Sequence, residues 1–186
     1  KRLLEEKQNE IISSGISDLS DNEESEKLKH AQNRRDIESA ISRAKKFLED
    51  GDVEAAMKEF SLAESLMDSE DEDYAAERLS EIAKALYDAS EKTSGSEKRK
   101  LKNASGSIAK SAAAKNCNNS DPYFIAGMDE LDKKKLSDAE AYFRKAIEKN
   151  PGNYLYYYQL GRVLAMQKKN PEALKNFSRC IELNDR

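Results

Sequence analysis

An offset of 34 residues lays one stretch near the C-terminal end of the chain onto the next. Tyr123 falls on Tyr157, Ala126 on Leu160, Gly127 on Gly161, Ala139 on Ala173, Phe143 on Phe177, Ala146 on Cys180 and Ile147 on Ile181. Each pair keeps size and polarity over a whole unit. A repeat of this length holds two short helices, which cannot bury their apolar faces alone and must stack on a neighbour. The fold class that follows is an all-α array of helical hairpins.

The rest of the composition agrees. The chain has 186 residues, 38% hydrophobic and 37% charged, with mean hydropathy −0.90. That balance is polar for a compact globule but suits thin stacked helices, whose surface is large relative to their core. Seven glycines and three prolines leave little material for hairpin turns, and no alternating strand pattern is found.

The turn residues divide residues 120–186 into two units, 120–153 and 154–186. Asp121-Pro122 and Asn170-Pro171 each pair a capping residue with a proline in the first turn, where its missing amide costs nothing. Ser137-Asp138-Ala139-Glu140 has the form of a capping box. Asn150-Pro151-Gly152-Asn153 ends one helix and opens the next. Four helices are expected, over 121–134, 137–150, 154–168 and 171–184.

The aromatic, Gly, Ala, Phe and Ala positions of these units, closed by Pro151, resemble the tetratricopeptide repeat. The resemblance implies a right-handed helix-turn-helix solenoid that binds protein segments on a concave face lined by the first helix of each unit. It assigns Phe124, Met128, Leu131 and Asp132, then Tyr158, Arg162, Ala165 and Met166, to that groove. A face with Phe, Tyr, two Met and one Arg suits an apolar helix or extended peptide with an acidic contact. The carboxylate clamp of chaperone-tail binders is not matched, because Ile125, Met128, Gln159 and Arg162 stand at its places. Among the tyrosines of 154–158, Tyr157 is expected buried, Tyr158 in the groove, and Tyr154 and Tyr156 at a solvent-facing edge or, as the alternative, in contact with a partner.

Upstream the pattern weakens. Lys1–Ile12 is a charged helical stretch with Leu4, Ile11 and Ile12, Ser13–Ser20 interrupts it, and Ser20-Asp21-Asn22-Glu23 offers a capping box for a new helix to about Asp50. Leu28, Ala31, Ile37, Ile41, Ala44 and Leu48 form its apolar stripe. Gly51 and Asp52 then supply a left-handed turn and an N-cap. Ala56, Phe60 and Ala63 repeat the Ala-Phe-Ala spacing, so 37–70 is expected to be a degenerate unit with Ala44 in the glycine place. Residues 71–119 are expected to form a stretched unit, with helices Tyr74–Lys92 and Glu97–Ala114, the competing reading being a hinge between an N-terminal bundle and a C-terminal repeat pair. Residues 1–20 form a charged N-terminal segment, and 21–119 together make the degenerate helical region.

Charge is uneven over a total of −4. Ile37–Asp73 holds 4 basic and 12 acidic residues, Tyr74–Asn119 holds 9 basic and 5 acidic. Nothing approaches the basic stripe of a duplex-binding protein, so no nucleic-acid partner is expected. No apolar run is long enough to span a membrane, and no secretory apolar segment is present. The chain opens on Lys1 and not Met, which leaves room for a removed leader or anchor. The sequence does not fix the compartment: the options are cytoplasmic or, with such a segment removed, periplasmic or envelope-associated.

Catalysis finds no support. The single histidine, His30, sits in a polar helix, and there is no phosphate loop, nucleophile elbow or paired-histidine metal motif. No cofactor or metal is expected. Cys117 reads as an exposed loop thiol and Cys180 as core, with a bridge between them a minor alternative. At the far end Leu174, Ile181 and Leu183 leave an apolar face that a continuation of the chain or a second copy would cover. The functional expectation is a non-catalytic scaffold holding a protein partner. The alternative is a self-associating or envelope-tethered structural component.

Overall fold

The computed structural model describes the backbone of residues 2–184 and the side-chain surroundings of residues 22–184. Eight α-helices follow one another among them: α1 (Arg2–Glu49), α2 (Val53–Leu66), α3 (Glu72–Lys92), α4 (Gly95–Ala114), α5 (Asp121–Asp132), α6 (Leu136–Lys149), α7 (Tyr154–Met166) and α8 (Asn170–Asn184). A short 3-10 turn, Met67–Ser69, follows α2. Helices pack in sequence as the hairpins α1–α2, α3–α4, α5–α6 and α7–α8, and contacts of α1 with α3, α3 and α4 with α5, and α6 with α7 join the hairpins into one array.

Within three of the hairpins one device recurs. A phenylalanine of the second helix fills the space beside a small residue sixteen places earlier: Phe60 after Ala44, Phe143 after Gly127 and Phe177 after Gly161. A Cβ on Gly127 would lie 2.7 Å from Phe143 Cε1, and one on Gly161 would lie 2.7 Å from Phe177 Cε1. The glycines are therefore sockets for the aromatic edge. Phe60 and Phe143 are sealed, whereas Phe177 on the last helix is half-buried.

The helix ends show a second recurring device. Gly51, Asn116, Lys134 and Lys168 all adopt left-handed backbone, with φ of 81°, 54°, 60° and 65°. Each sits just past a helix, and the amide that follows reaches back over the last turn: Asp52 to Phe47 O at 2.8 Å, Cys117 to Ala112 O at 3.4 Å, Lys135 to Glu130 O at 2.8 Å and Lys169 to Leu164 O at 2.9 Å. This is the Schellman closure, which satisfies carbonyls the helix leaves free and favours glycine at the left-handed place. Only the first of the four uses glycine.

Several expectations are corrected. The interruption at Ser13–Ser20 is not observed, since α1 runs unbroken from Arg2 and the capping box at Ser20 starts no helix. One interior glycine costs a helix about 1 kcal/mol, less than renucleating it would. Among the described side chains, the buried stripe of α1 begins at Ile37, with Leu28 and Ala31 exposed. Leu4, Ile11 and Ile12 lie outside the described side chains. At Ser137 the capping box also fails, because the tight Schellman turn starts α6 at Leu136, with Lys135 at its cap. Asp52 does cap α2, accepting from Ala55 N at 3.0 Å, and Asn153 caps α7, accepting from Leu155 N at 3.0 Å.

The two cysteines exchange roles. Cys117 is buried and its thiol faces Ala76 O at 3.6 Å, while Cys180 is half-buried, and both are free. Ala146, the equivalent of Cys180, is closed over by Tyr156 of the following helix, a cover that α8 lacks among the described residues.

Candidate interaction surface

The expected groove residues divide into a packed set and an open set. Phe124 lies within a chain of rings, its centroid 6.1 Å from Tyr87, 6.0 Å from Phe143 and 5.1 Å from Tyr156. Leu131 is 7% exposed and belongs to the core with Ala139, Phe143 and Leu160, so it presents nothing to a partner. Met128 is half-buried against the same core. Asp132 is exposed and paired with Lys102 at 3.3 Å. The open set is therefore concentrated on α7.

On α7, Leu155, Tyr158, Arg162 and Met166 recur at helical spacing along one exposed stripe, with Tyr158 at 44% and Met166 at 51% exposure. Ala165 beside them is exposed too. The Tyr158 ring rests 6.1 Å from that of Phe177, which fixes it from behind. Arg162 lies over the Tyr158 ring at 5.9 Å and donates to the neutral Gln159 Oε1 at 2.7 Å. No carboxylate pairs with Arg162 among the described residues, so its charge is left for solvent or a ligand.

Tyr156 and Tyr157 exchange places relative to expectation. Tyr156 is buried, its hydroxyl 2.9 Å from Ser120 Oγ, whereas Tyr157 is half-buried and donates to Pro151 O at 3.2 Å. Burial raises the Tyr156 phenol pKa, the hydrogen bond from Ser120 opposing it. The pull of Phe124 on one side and Ser120 on the other is a tertiary effect that a 34-residue alignment does not carry.

The corresponding face of the N-terminal hairpins has a different character. Glu38 accepts from Arg78 at 3.0 Å, Arg78 pairs with Glu81 at 3.0 Å, Glu81 pairs with Lys45, and Lys84 stands 3.9 Å from Asp121. Positive and negative groups here answer one another within the chain. Further along α1, the buried Glu70 carboxylate takes Arg34 Nε and Asn33 Nδ2, each at 2.7 Å, with His30 Nδ1 at 3.5 Å. Burial would raise the Glu70 pKa, but those donors hold it below the usual carboxylate range.

Sequence reasoning missed the joint between the two halves. Asp129 and Glu130 of α5 are buried, and Lys110 of α4 bridges them at 2.6 and 2.8 Å, with Lys133 also 2.6 Å from Asp129. Burial disfavours both carboxylates, yet the lysines keep each below its ordinary pKa. Gly106 of α4 makes room, since a Cβ there would meet Asp129 Cγ at 2.4 Å. A glycine four places before a lysine in a helix was the only available sign.

No group of His, Cys, Asp and Glu among the described residues has metal-holding geometry, and none of their helices is long and apolar enough to cross a membrane. The tetratricopeptide repeat family matches residues 142–175. Three solved structures are similar to the chain. One titled "Crystal structure of MamA" has TM-score 0.60 and 21% identity, covering 85% of this chain and 82% of that one. A second, "Crystal structure of MamA protein", has TM-score 0.59 and 20% identity, with 85% and 77% covered. A third, "MamA MSR-1 C2", has TM-score 0.61 and 13% identity, with 81% and 78% covered. No curated protein sequence matches the chain. At these identities the likeness is one of fold. The stacked hairpins make the chain an all-α helical-repeat protein, and residues 142–175 within it match the tetratricopeptide repeat.

Proposed function

We propose that the chain is a non-catalytic scaffold that holds a protein segment against the first-helix face of its last unit. The observation that carries this reading is the open α7 stripe, where Leu155, Tyr158 and Met166 flank an Arg162 with no carboxylate partner. A half-exposed aromatic braced from behind by Phe177 loses little entropy on binding, and Met adapts to varied surfaces. An apolar segment with one acidic side chain complements this stripe. Unit boundaries at 37–70, 71–119, 120–153 and 154–186 belong to the same proposal, as does the groove subset Tyr158, Arg162 and Met166, with Met128 and Asp132 at its margin.

The test replaces Tyr158 and Arg162 together with alanine and compares affinity capture with that of the unaltered chain, after circular dichroism has shown an intact fold. Proteins captured by the unaltered chain and lost by the variant support the stripe. An unchanged capture set rejects it.

A second reading, self-association, is favoured by the outer face of α8, where Leu174 is 69% and Ile181 62% exposed. Light scattering over a concentration series decides it, because a constant monomer mass excludes that reading.

A further inference from the structure

The long edge formed by the turns between first and second helices is basic over its last three turns, although the chain as a whole is acidic and the α1–α2 turn on the same edge carries Glu49, Asp50 and Asp52. Residues 91–102, 132–135 and 167–170 hold ten basic and three acidic residues, against a net charge of −4 overall. The turns are joined in space. Lys102 reaches Asp132 at 3.3 Å, tying the α3–α4 turn to the α5–α6 turn, and Lys169 reaches Glu140 at 2.9 Å, tying the α7–α8 turn to α6.

Arg99, Lys134 and Lys168 on this edge are exposed and have no carboxylate partner among the described residues. Lys134 and Lys168 also occupy the left-handed place that Gly51 fills in the first hairpin. A lysine there is strained where glycine is not, so stability alone does not account for finding it in both consensus units. Between Arg99 and Lys133 the edge opens into a depression of about 200 Å³ lined by Tyr87 and Met128, with Asp129 and Asp132 in its wall paired to Lys133 and Lys102.

We infer that this edge binds an acidic protein segment, one apolar side chain entering between Tyr87 and Met128 while carboxylates meet Arg99, Lys134 and Lys168. The three unpaired cations beside a partly apolar depression select this partner by charge and shape together. A nucleic acid fits less well, because Tyr87 packs edge-on against Phe124 and no open ring in the row offers a base a stacking face. A lipid surface has no protruding group to fill the depression. This surface goes beyond the α7 stripe and does not depend on it.

The test titrates the full chain into a labelled acidic peptide of about 15 residues with one central Leu, read by fluorescence anisotropy. Comparison probes are the same peptide with Ser for Leu, a duplex DNA and phosphatidylserine vesicles. The expected result is salt-sensitive binding of the Leu peptide, weakened about tenfold or more by Arg99→Glu, Lys134→Glu and Lys168→Glu together. Lys134→Gly with Lys168→Gly also weakens it while raising the Tm, which separates lost recognition from lost folding. Tyr158→Ala with Arg162→Ala leaves it unchanged, which separates this edge from the α7 stripe. Absent binding, binding that survives charge reversal, or equal affinity for the Ser peptide, the duplex or the vesicles each overturns the inference.

Discussion

The N-terminal and C-terminal hairpins use the same backbone and different chemistry. Along α1 and α3 the first-helix face is a lattice of ion pairs, Glu38 with Arg78, Glu81 with Lys45, Lys84 with Asp121. Along α7 the equivalent face is Leu155, Tyr158 and Met166 around one unmatched arginine. The ionic face has its charges satisfied internally, and exposed pairs of that kind contribute little to stability. The apolar face has unmet capacity. In such an array the hairpin geometry sets where a surface lies, and side-chain chemistry decides which stretch of it is open to a partner.

The comparison is most easily broken through its shared aromatic socket. Phe60→Ala and Phe143→Ala are expected to cost about 3–5 kcal/mol each, because both rings are sealed. Phe177→Ala should cost about 1–2 kcal/mol, the ring being half-buried on the last helix. Urea denaturation of the three variants checks this, and equal losses would remove the distinction between inner and outer hairpins.

Gly127→Ala comes next, at about 2 kcal/mol, since its methyl would lie 2.7 Å from the Phe143 ring and force it to shift. The same substitution at Gly161 should cost less, for Phe177 has room to move outward. Differential scanning calorimetry ranks the pair.

Acid sensitivity probes the C-terminal hairpins in another way. Burial would raise the pKa of Glu140, but hydrogen bonds from Lys169, Arg144 and Gln167 bring it down to about 2. A depressed folded-state pKa gives stability that is complete above the ordinary value near 4.5 and lost as pH falls from there towards 2. Glu140→Gln should therefore lower stability at pH 7 on the order of 2 kcal/mol and flatten the acid limb of the stability profile. A pH series of denaturation midpoints measures both.

The smallest effects lie in the turns, and they have opposite signs. Lys134→Gly and Lys168→Gly should each stabilise by about 0.5–1 kcal/mol by relieving left-handed strain, whereas Gly51→Ala should destabilise by about 1 kcal/mol. Thermal melts of the single variants read the signs directly.

Legibility in the sequence follows the same division. Residues 120–186 were readable because period, glycine sockets and prolines all agree, and the helix limits differ from expectation by one or two residues. The upstream hairpins were readable from Gly51, Asp52 and the Ala-Phe-Ala spacing, without an aromatic opener to fix their register. What failed was local punctuation. Ser20 and Ser137 carry capping signals that cooperative helix extension and a Schellman turn override. Of the surface, Tyr158, Arg162 and Met166 were legible as positions on a helix. Leu131 and Tyr156 were not, since their burial depends on Leu160, Phe124 and Ser120, residues outside their own helices.

The glycine on α4 that faces Asp129 bears on how this molecule would behave as engineering stock. Helical repeats are usually treated as interchangeable bricks, to be cut, duplicated or grafted at any boundary. Here the boundary ahead of α5 is keyed: Gly106 and Lys110 on one side fit only a neighbour bearing the Asp129-Glu130 pair. A chimera that exchanges the last two hairpins must carry both sides of that key, or it will place a methyl group against a carboxylate and strand a lysine between helices.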